Sequence, residues 1–331
     1  MRPTALVRAK ALRAAELAPL AKAVRQYTDA RTAASTRRAY GFDWRMFERW
    51  CGEHSRGAPE LVDDVALCIY LAALADAGYA PATVERAAHG IGARLRQLDP
   101  TWILGMASRS VLRGIRRVSK YRRKVKKALT APELRALLEQ LDQLGPAGPL
   151  VVRNRALLLV GFAGGFRRSE LVALNREDLS FSAAGLTIAI GRSKTDQEGE
   201  GYEKGIVAAR RGEVCPVAAC RAWLELTPAL GPDAPVFLAM TRWGRFVEPR
   251  RRLSPGAVAH VVKVACRAAG LATGDYGGHS LRAGFVTEAA LHRKPVQDIM
   301  RQTNHKSLNQ VLKYIRHADI FTENASAGLL D

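Results

Sequence analysis

Apolar positions in the first third of the chain recur at helical spacing. In "STRRAYGFDWRMFERWCGEH", Tyr40, Trp44, Phe47 and Cys51 are spaced 4-3-4 and form one apolar face, with Ser35 as the expected N-cap. "DDVALCIYLAALADAG" reads as a short buried helix ending at Gly78. "APATVERAAHGIGARLRQL" opens with Pro81 near N1 and lines up Val84, Ala88, Ile91, Leu95 and Leu98 on one side. Arg86, Arg94 and Arg96 are left towards solvent or a partner. The pattern predicts a small helical bundle with a basic side.

The apolar rhythm then gives way to charge. From Arg109 to Lys127 there are ten Lys/Arg and no acid. A charge run is ordinarily a solvated face. Ten like charges within 19 residues repel strongly, however, and phosphates spaced along a duplex supply the counter-anions. The expected DNA contacts are Arg113, Arg116, Arg117, Lys120, Arg122, Arg123, Lys124, Lys126 and Lys127, with 121–127 as an extended basic linker. "LTAPELRALL" starts a new helix, with Thr130 as cap, Pro132 in the first turn and Glu133 at the capping-box position.

Beyond it, "RNRALLLVGFAGGFRRSELVALNREDL" predicts a buried helix, a break at Gly164-Gly165, and a second helix with Leu171 and Leu174 inward. "GLTIAI" and "YEKGIVA" read as short strands flanking a polar, Gly-rich hairpin tip, "GRSKTDQEGEG". From Ser254 the pattern is helical again. The expected fold is mainly α. An N-terminal arm (1–24) and a helical DNA-binding domain (25–120) precede the linker, and a mostly helical domain with a small antiparallel sheet follows (128–331).

Charge sharpens this picture. The chain of 331 residues carries a net +20, and it is uneven: up to Lys127 there are 25 Lys/Arg against 11 Asp/Glu, and after it 26 against 20. A basic half joined to a nearly balanced one points to a polyanion, most simply nucleic acid. The five cysteines form no CxxC pair, and Cys215 and Cys220 have no nearby Cys/His pair to complete a zinc site. They read as reduced thiols of a cytoplasmic protein, with neither metal nor cofactor expected. No apolar run reaches membrane-spanning length, since "ALLLVGFAGGF" ends against Arg167. The segment up to Tyr27 has one acid, Glu16, and has the composition of a transit peptide as well as of a basic arm; the arm is the reading adopted.

A few residues carry possible chemistry. His279 and Arg282 are three apart in "GGHSLRAGF", hence on one helix face, although a lone pair of this kind is ordinarily a surface pair. Arg167 follows a two-glycine break where backbone can approach a ligand closely. Lys194 sits at the hairpin tip, and His305 follows Asn304, a residue that tolerates a left-handed turn. Tyr314 comes nine residues after His305; a helical tyrosine is ordinarily half-buried packing. Together these residues suit attack of a tyrosine hydroxyl on a phosphodiester without metal. Guanidinium forks offset charge on the non-bridging oxygens, a histidine manages the nucleophile's proton, and a lysine protonates the departing 5′ oxygen.

From about Ser35 to the C-terminus the chain resembles the tyrosine recombinase (phage integrase) family, and within it the Cre-like members. "FRRSEL" is similar to the family's Arg-x-Ser-Glu-Leu, "GRSKTD" to its hairpin lysine, and "GHSLR" to its His-x-x-Arg. His305 stands where the family carries His or Trp, with Tyr314 at the family's offset. The resemblance implies Tyr314, Arg167, Lys194, His279, Arg282 and His305 as catalytic residues, supported by Glu170. It further implies a site-specific recombinase working through a covalent 3′-phosphotyrosine. Its partner would be double-stranded DNA with an inverted-repeat site, held in a C-shaped clamp, and a homo-tetramer would assemble on two sites. Where the family usually has Leu-Gly-His, this chain has "TNH", so the turn into His305 rests on Asn304. Leu329 and Leu330 are the strong apolar anchors of the tail. Two alternatives differ in outcome: a type IB topoisomerase-like enzyme relaxes DNA alone, and a silent DNA-binding protein does not cleave.

Overall fold

Four helices occupy the part of the first unit where the 3.6-residue rhythm is strongest: α1 (Ala34–Glu53), α2 (Asp64–Asp76), α3 (Pro81–Leu98) and α4 (Met106–Val118). The computed structural model describes residues 32–54, 57–122, 125–143, 148–191, 201–210, 212–227 and 230–318, with scattered positions between 19 and 27. The chain separates into two compact units, Met1–Lys124 and Val125–Asp331. The N-terminal arm, for the most part, and Arg123, Lys124, Lys194, Leu329 and Leu330 lie outside the described residues.

In the first unit Trp44, Phe47 and Cys51 of α1 are buried with Leu67 and Leu71 of α2 and Val84, Ala88, Ile91 and Leu95 of α3. Several local expectations give way to packing. Helix α1 begins at Ala34 after Ala33, so Ser35 lies inside the first turn instead of capping it. Asp63 does cap α2, accepting from the Ala66 N–H at 2.8 Å. That helix is buried on one face only, because Val65 and Ile69 are exposed. Leu98, at the last position of α3, is exposed too. Arg86 turns inward to Asp43, 2.7 Å away. Burial raises the Asp43 pKa and the neighbouring guanidinium lowers it, the balance expected of a buried carboxylate with a paired cation.

The second unit is built around α5 (Ala131–Gln143), α6 (Pro149–Ala163), α7 (Arg168–Ala173), α8 (Pro216–Glu225), α9 (Pro255–Ala268), α10 (Gly278–Leu291), α11 (Val296–Thr303) and α12 (Leu308–Ala318). Its sheet has strand order β1 (Leu179–Phe181), β2 (Gly185–Ile190), β3 (Tyr202–Val207), all antiparallel. The two longer strands are those expected; β1 is an addition of three residues, too short to show a period. Leu137, Leu157, Phe166, Ile188, Trp223, Phe237 and Val262 make the core.

The capping box at α5 forms. The Thr130 N–H donates to Glu133 Oε2 at 2.7 Å, and the Glu133 N–H reaches Thr130 Oγ1 at 3.5 Å. Glu133 also accepts from the Tyr276 hydroxyl at 2.6 Å, which ties the start of α5 to the loop leading into α10. Among the described residues no helix is long and apolar enough to cross a membrane.

Candidate active site

Two tight turns and two helices bring the chemistry-bearing residues of the second unit together. The first turn follows α6. Gly165 takes φ 55, a left-handed conformation that glycine adopts without penalty. A Cβ there would come 2.8 Å from Thr303 Cγ2, so the glycine also permits close approach to the second turn. Arg167 emerges as the N-cap of α7. Its backbone N–H donates to Glu170 Oε2 at 2.9 Å and its guanidinium pairs with Glu170 Oε1. Its Nη2 reaches across to the Asn304 carbonyl at 3.3 Å. Glu170 is buried and so orients the arginine from beneath.

The second turn ends α11. Asn304 has φ 49 and ψ 52, a left-handed C-cap at the position where the sequence requires one. It delivers His305, which is 8% exposed. The Thr303 hydroxyl donates to the Ile299 carbonyl at 2.6 Å and lies 2.6 Å from His305 Nδ1. With the single hydroxyl proton committed to Ile299, Nδ1–H must be the donor, which leaves Nε2 as the bare nitrogen of a neutral ring. Burial, then Arg282 and Arg167, push the His305 pKa down to about 3.

Helix α10 presents His279 and Arg282 one turn apart. Arg282 is 1% exposed, and its Nη1 donates to the Gly165 carbonyl at 2.7 Å. Its Nη2 has no hydrogen-bond partner among the described residues, as expected of a donor held for a ligand oxygen. Burial, followed by the like charge of Arg167, lowers the Arg282 pKa to about 10, still far above neutrality. Helix α12 packs Val311 against Val286 of α10 and Ile299 of α11, with Tyr314 partly buried beside them. The Tyr314 hydroxyl lies 2.5 Å from His279 Nε2.

Six of the residues expected from the sequence thus gather in one place: Arg167, Glu170, His279, Arg282, His305 and Tyr314. Lys194 lies outside the described residues. Sequence reasoning missed Thr303 and Lys204. Lys204 is buried at 1% exposure on β3, and its signal was a lysine on the inward, period-2 set with Ile206. No group of three or more His, Cys, Asp or Glu among the described residues is arranged to hold a metal.

The basic stretch proves heterogeneous. Arg113, Arg117, Lys120 and Arg122 are exposed, whereas Arg116 pairs with Glu85 at 2.6 Å. Lys126 donates to the Gly274 carbonyl, and Lys127 pairs with Asp275 at 2.8 Å.

Residues 127–320 match the model of the phage integrase family. A chain of Selenomonas ruminantium described as an integrase/recombinase xerD homolog is 35% identical over 304 residues, 88% of this chain and 84% of that one. Tyrosine recombinase XerC of Rhodospirillum centenum is 26% identical over 288 residues, 84% of this chain and 76% of that one. Among solved structures, XerH site-specific recombinase bound to palindromic difH in a post-cleavage complex superposes with a TM-score of 0.58 at 20% identity, covering 82% of this chain and 73% of that chain. A lambda integrase(75-356) dimer bound to a COC′ core site gives 0.55 at 15%, covering 89% and 93%. Both of these curated relatives carry Xer names.

Proposed function

Because the chain belongs to the phage integrase family and is a site-specific DNA recombinase, we propose that Tyr314 is its nucleophile and duplex DNA its substrate. The Tyr314 oxygen attacks a backbone phosphorus, the P–O bond to the 5′ oxygen breaks, and a 3′-phosphotyrosyl bond holds the strand for rejoining. The tyrosine proton passes to His279 Nε2. Arg167 and Arg282 hold the non-bridging oxygens as charge builds up on them. Lys194 protonates the leaving 5′ oxygen, a role that rests on the likeness of "GRSKTD" to the family's hairpin lysine. His305 faces the phosphate from the second turn; the negative charge of the bound phosphate favours a proton on its otherwise bare Nε2, which then donates to an oxygen.

The observation that carries this reading is the 2.5 Å pairing of the Tyr314 hydroxyl with His279, on the helix that also presents the unpartnered Nη2 of Arg282. A tyrosine kept for packing needs neither. The first unit, with the exposed face of α4, supplies sequence-independent phosphate contacts. Four protomers act on two inverted-repeat sites, in the cytoplasm.

The test is a supercoiled plasmid carrying two copies of the inverted-repeat site. Resolution into two rings is expected of the recombinase. Relaxation of a one-site plasmid with no exchange supports the topoisomerase alternative.

A further inference from the structure

Lys204 is the most deeply buried cation near the site that the chemistry above leaves without a role. Strand β3 pairs it with Ile188 of β2, on the face turned to the core. Its Nζ donates to the Gly164 carbonyl at 2.7 Å and to the Gln302 carbonyl at 2.5 Å. It also lies 4.6 Å from the centre of the Phe166 ring, within cation–π range. These partners come from two turns far apart in sequence. Gly164 precedes Arg167 by three residues, and Gln302 precedes His305 by three. The neighbouring carbonyls are taken in the same manner: Gly165 O by Arg282, and Asn304 O by Arg167. Gln302 adds its own links, from Nε2 to the carbonyls of Ala163 and Gly205.

We propose that Lys204 is a positioning residue for strand cleavage: one ammonium group gathers the carbonyls of Gly164 and Gln302 and so sets the spacing of the turns that carry Arg167 and His305. This rests on the reading of those two residues as phosphate-binding groups. Filling the volume does not call for the lysine, since a Met at an inward strand position fills similar space without desolvating a charge; what Met cannot supply is the donor to the two carbonyls. Desolvation is strong enough here to bring the Lys204 pKa down to about 7, with Glu170 pulling it back up and the two arginines lowering it further. Two of the three Lys204 donors go to backbone carbonyls, and the ammonium rests against the Phe166 ring. Its effect passes through Arg167 and His305, which must be held to well under an ångström to act on the transition state, and a misplacement of about 1 Å is worth roughly 100-fold in rate.

The experiment compares wild type with Lys204→Met in full-length protein on a nicked site, at saturating DNA. Rates of covalent adduct formation are taken per DNA-binding molecule, and thermal stability is measured in parallel. Expected is a fall in the adduct rate of about 10- to 100-fold per DNA-binding molecule, with DNA affinity unchanged and a melting temperature lowered by the loss of the donor to two carbonyls. A purely structural lysine also lowers the melting temperature but leaves the rate per DNA-binding molecule at the wild-type value, and that result overturns the proposal. Should Lys204→Met fail to fold, Lys204→Gln carries the test: its amide keeps donors but reaches less far, so a reduced rate at unchanged affinity is expected and an unchanged rate overturns the idea. If wild type itself forms no adduct through Tyr314, the reading of the site falls; if it does and the Lys204 variants match its rate, only the positioning role falls.

Discussion

The hydroxyl of Tyr314 and Nε2 of His279 are 2.5 Å apart, although the residues stand 35 positions apart in the chain. The contact is made by packing, since Val311 on α12 is fully buried against Val286 and Ile299, which fixes the rotation of α12 over α10. A phenol and an imidazole at this distance can exchange a proton, which is what the proposed attack by Tyr314 requires.

Removing the acceptor tests that pairing. His279→Ala should slow adduct formation by about 100- to 10,000-fold, the usual range for a positioned acid–base group, with DNA affinity nearly unchanged. Single-turnover cleavage of a nicked site, read beside a binding titration, separates the two quantities. Equal losses of binding and rate would make His279 a DNA contact instead.

The buried ring of His305 gives a pH signature. Its folded-state pKa, about 3, lies below the 6.5 of an unperturbed histidine. As pH falls below 6.5 the unfolded chain takes up a proton that the folded ring refuses, so the ring's contribution is complete above that value and is lost as pH falls towards 3. Denaturation of wild type and His305→Gln at neutral pH and at about pH 5 should show a smaller acid-side loss in the variant. Parallel losses would mean that His305 takes up its proton in the folded state as readily as in the unfolded chain.

Much of this is legible in the sequence where the cause is local. Asn304 is identifiable as a left-handed turn residue from its chemistry alone, and the Thr130–Glu133 box from a spacing of three. The inward faces of α1 and α3 follow from periodicity. What stays hidden depends on distant partners. Arg86 reads as a solvent-facing charge because its partner Asp43 is 43 residues away. Lys204 shares the inward alternation of β3 with Ile206, but its acceptors are carbonyls at 164 and 302, and a carbonyl leaves no mark in a sequence. Lys126 and Lys127 join the basic run by composition, yet fold back on Gly274 and Asp275. Charge counts do not separate a cation aimed at phosphate from one aimed at its own chain.

Asn304 itself is open to test. Asn304→Gly should keep stability and activity, since glycine adopts φ 49 freely. Asn304→Val should lose about 1–2 kcal/mol for a branched side chain in the left-handed region, together with activity as His305 shifts. Denaturant midpoints measure the first effect. Equal midpoints for the two variants would show that the turn tolerates any residue.

The exposed cations of the first unit predict a salt effect. Neutralising Arg113, Arg117 and Lys120 to Gln should weaken binding to every sequence alike. It should also flatten the slope of log affinity against log salt by about 0.9 for each phosphate that the variant no longer neutralises. An unchanged slope would show that this face of α4 meets solvent.

The central claim is that Tyr314 becomes covalently joined to DNA, and trapping that bond tests it most directly. A target site nicked just beyond the scissile phosphate lets the freed 5′ fragment diffuse away, so the adduct accumulates and runs as a shifted band on a denaturing gel. Wild type should give the band, and peptide mapping should place the DNA on Tyr314. Tyr314→Phe should bind the same DNA and give no band. An adduct that persists in the Phe variant, or that maps to another residue, would contradict the account.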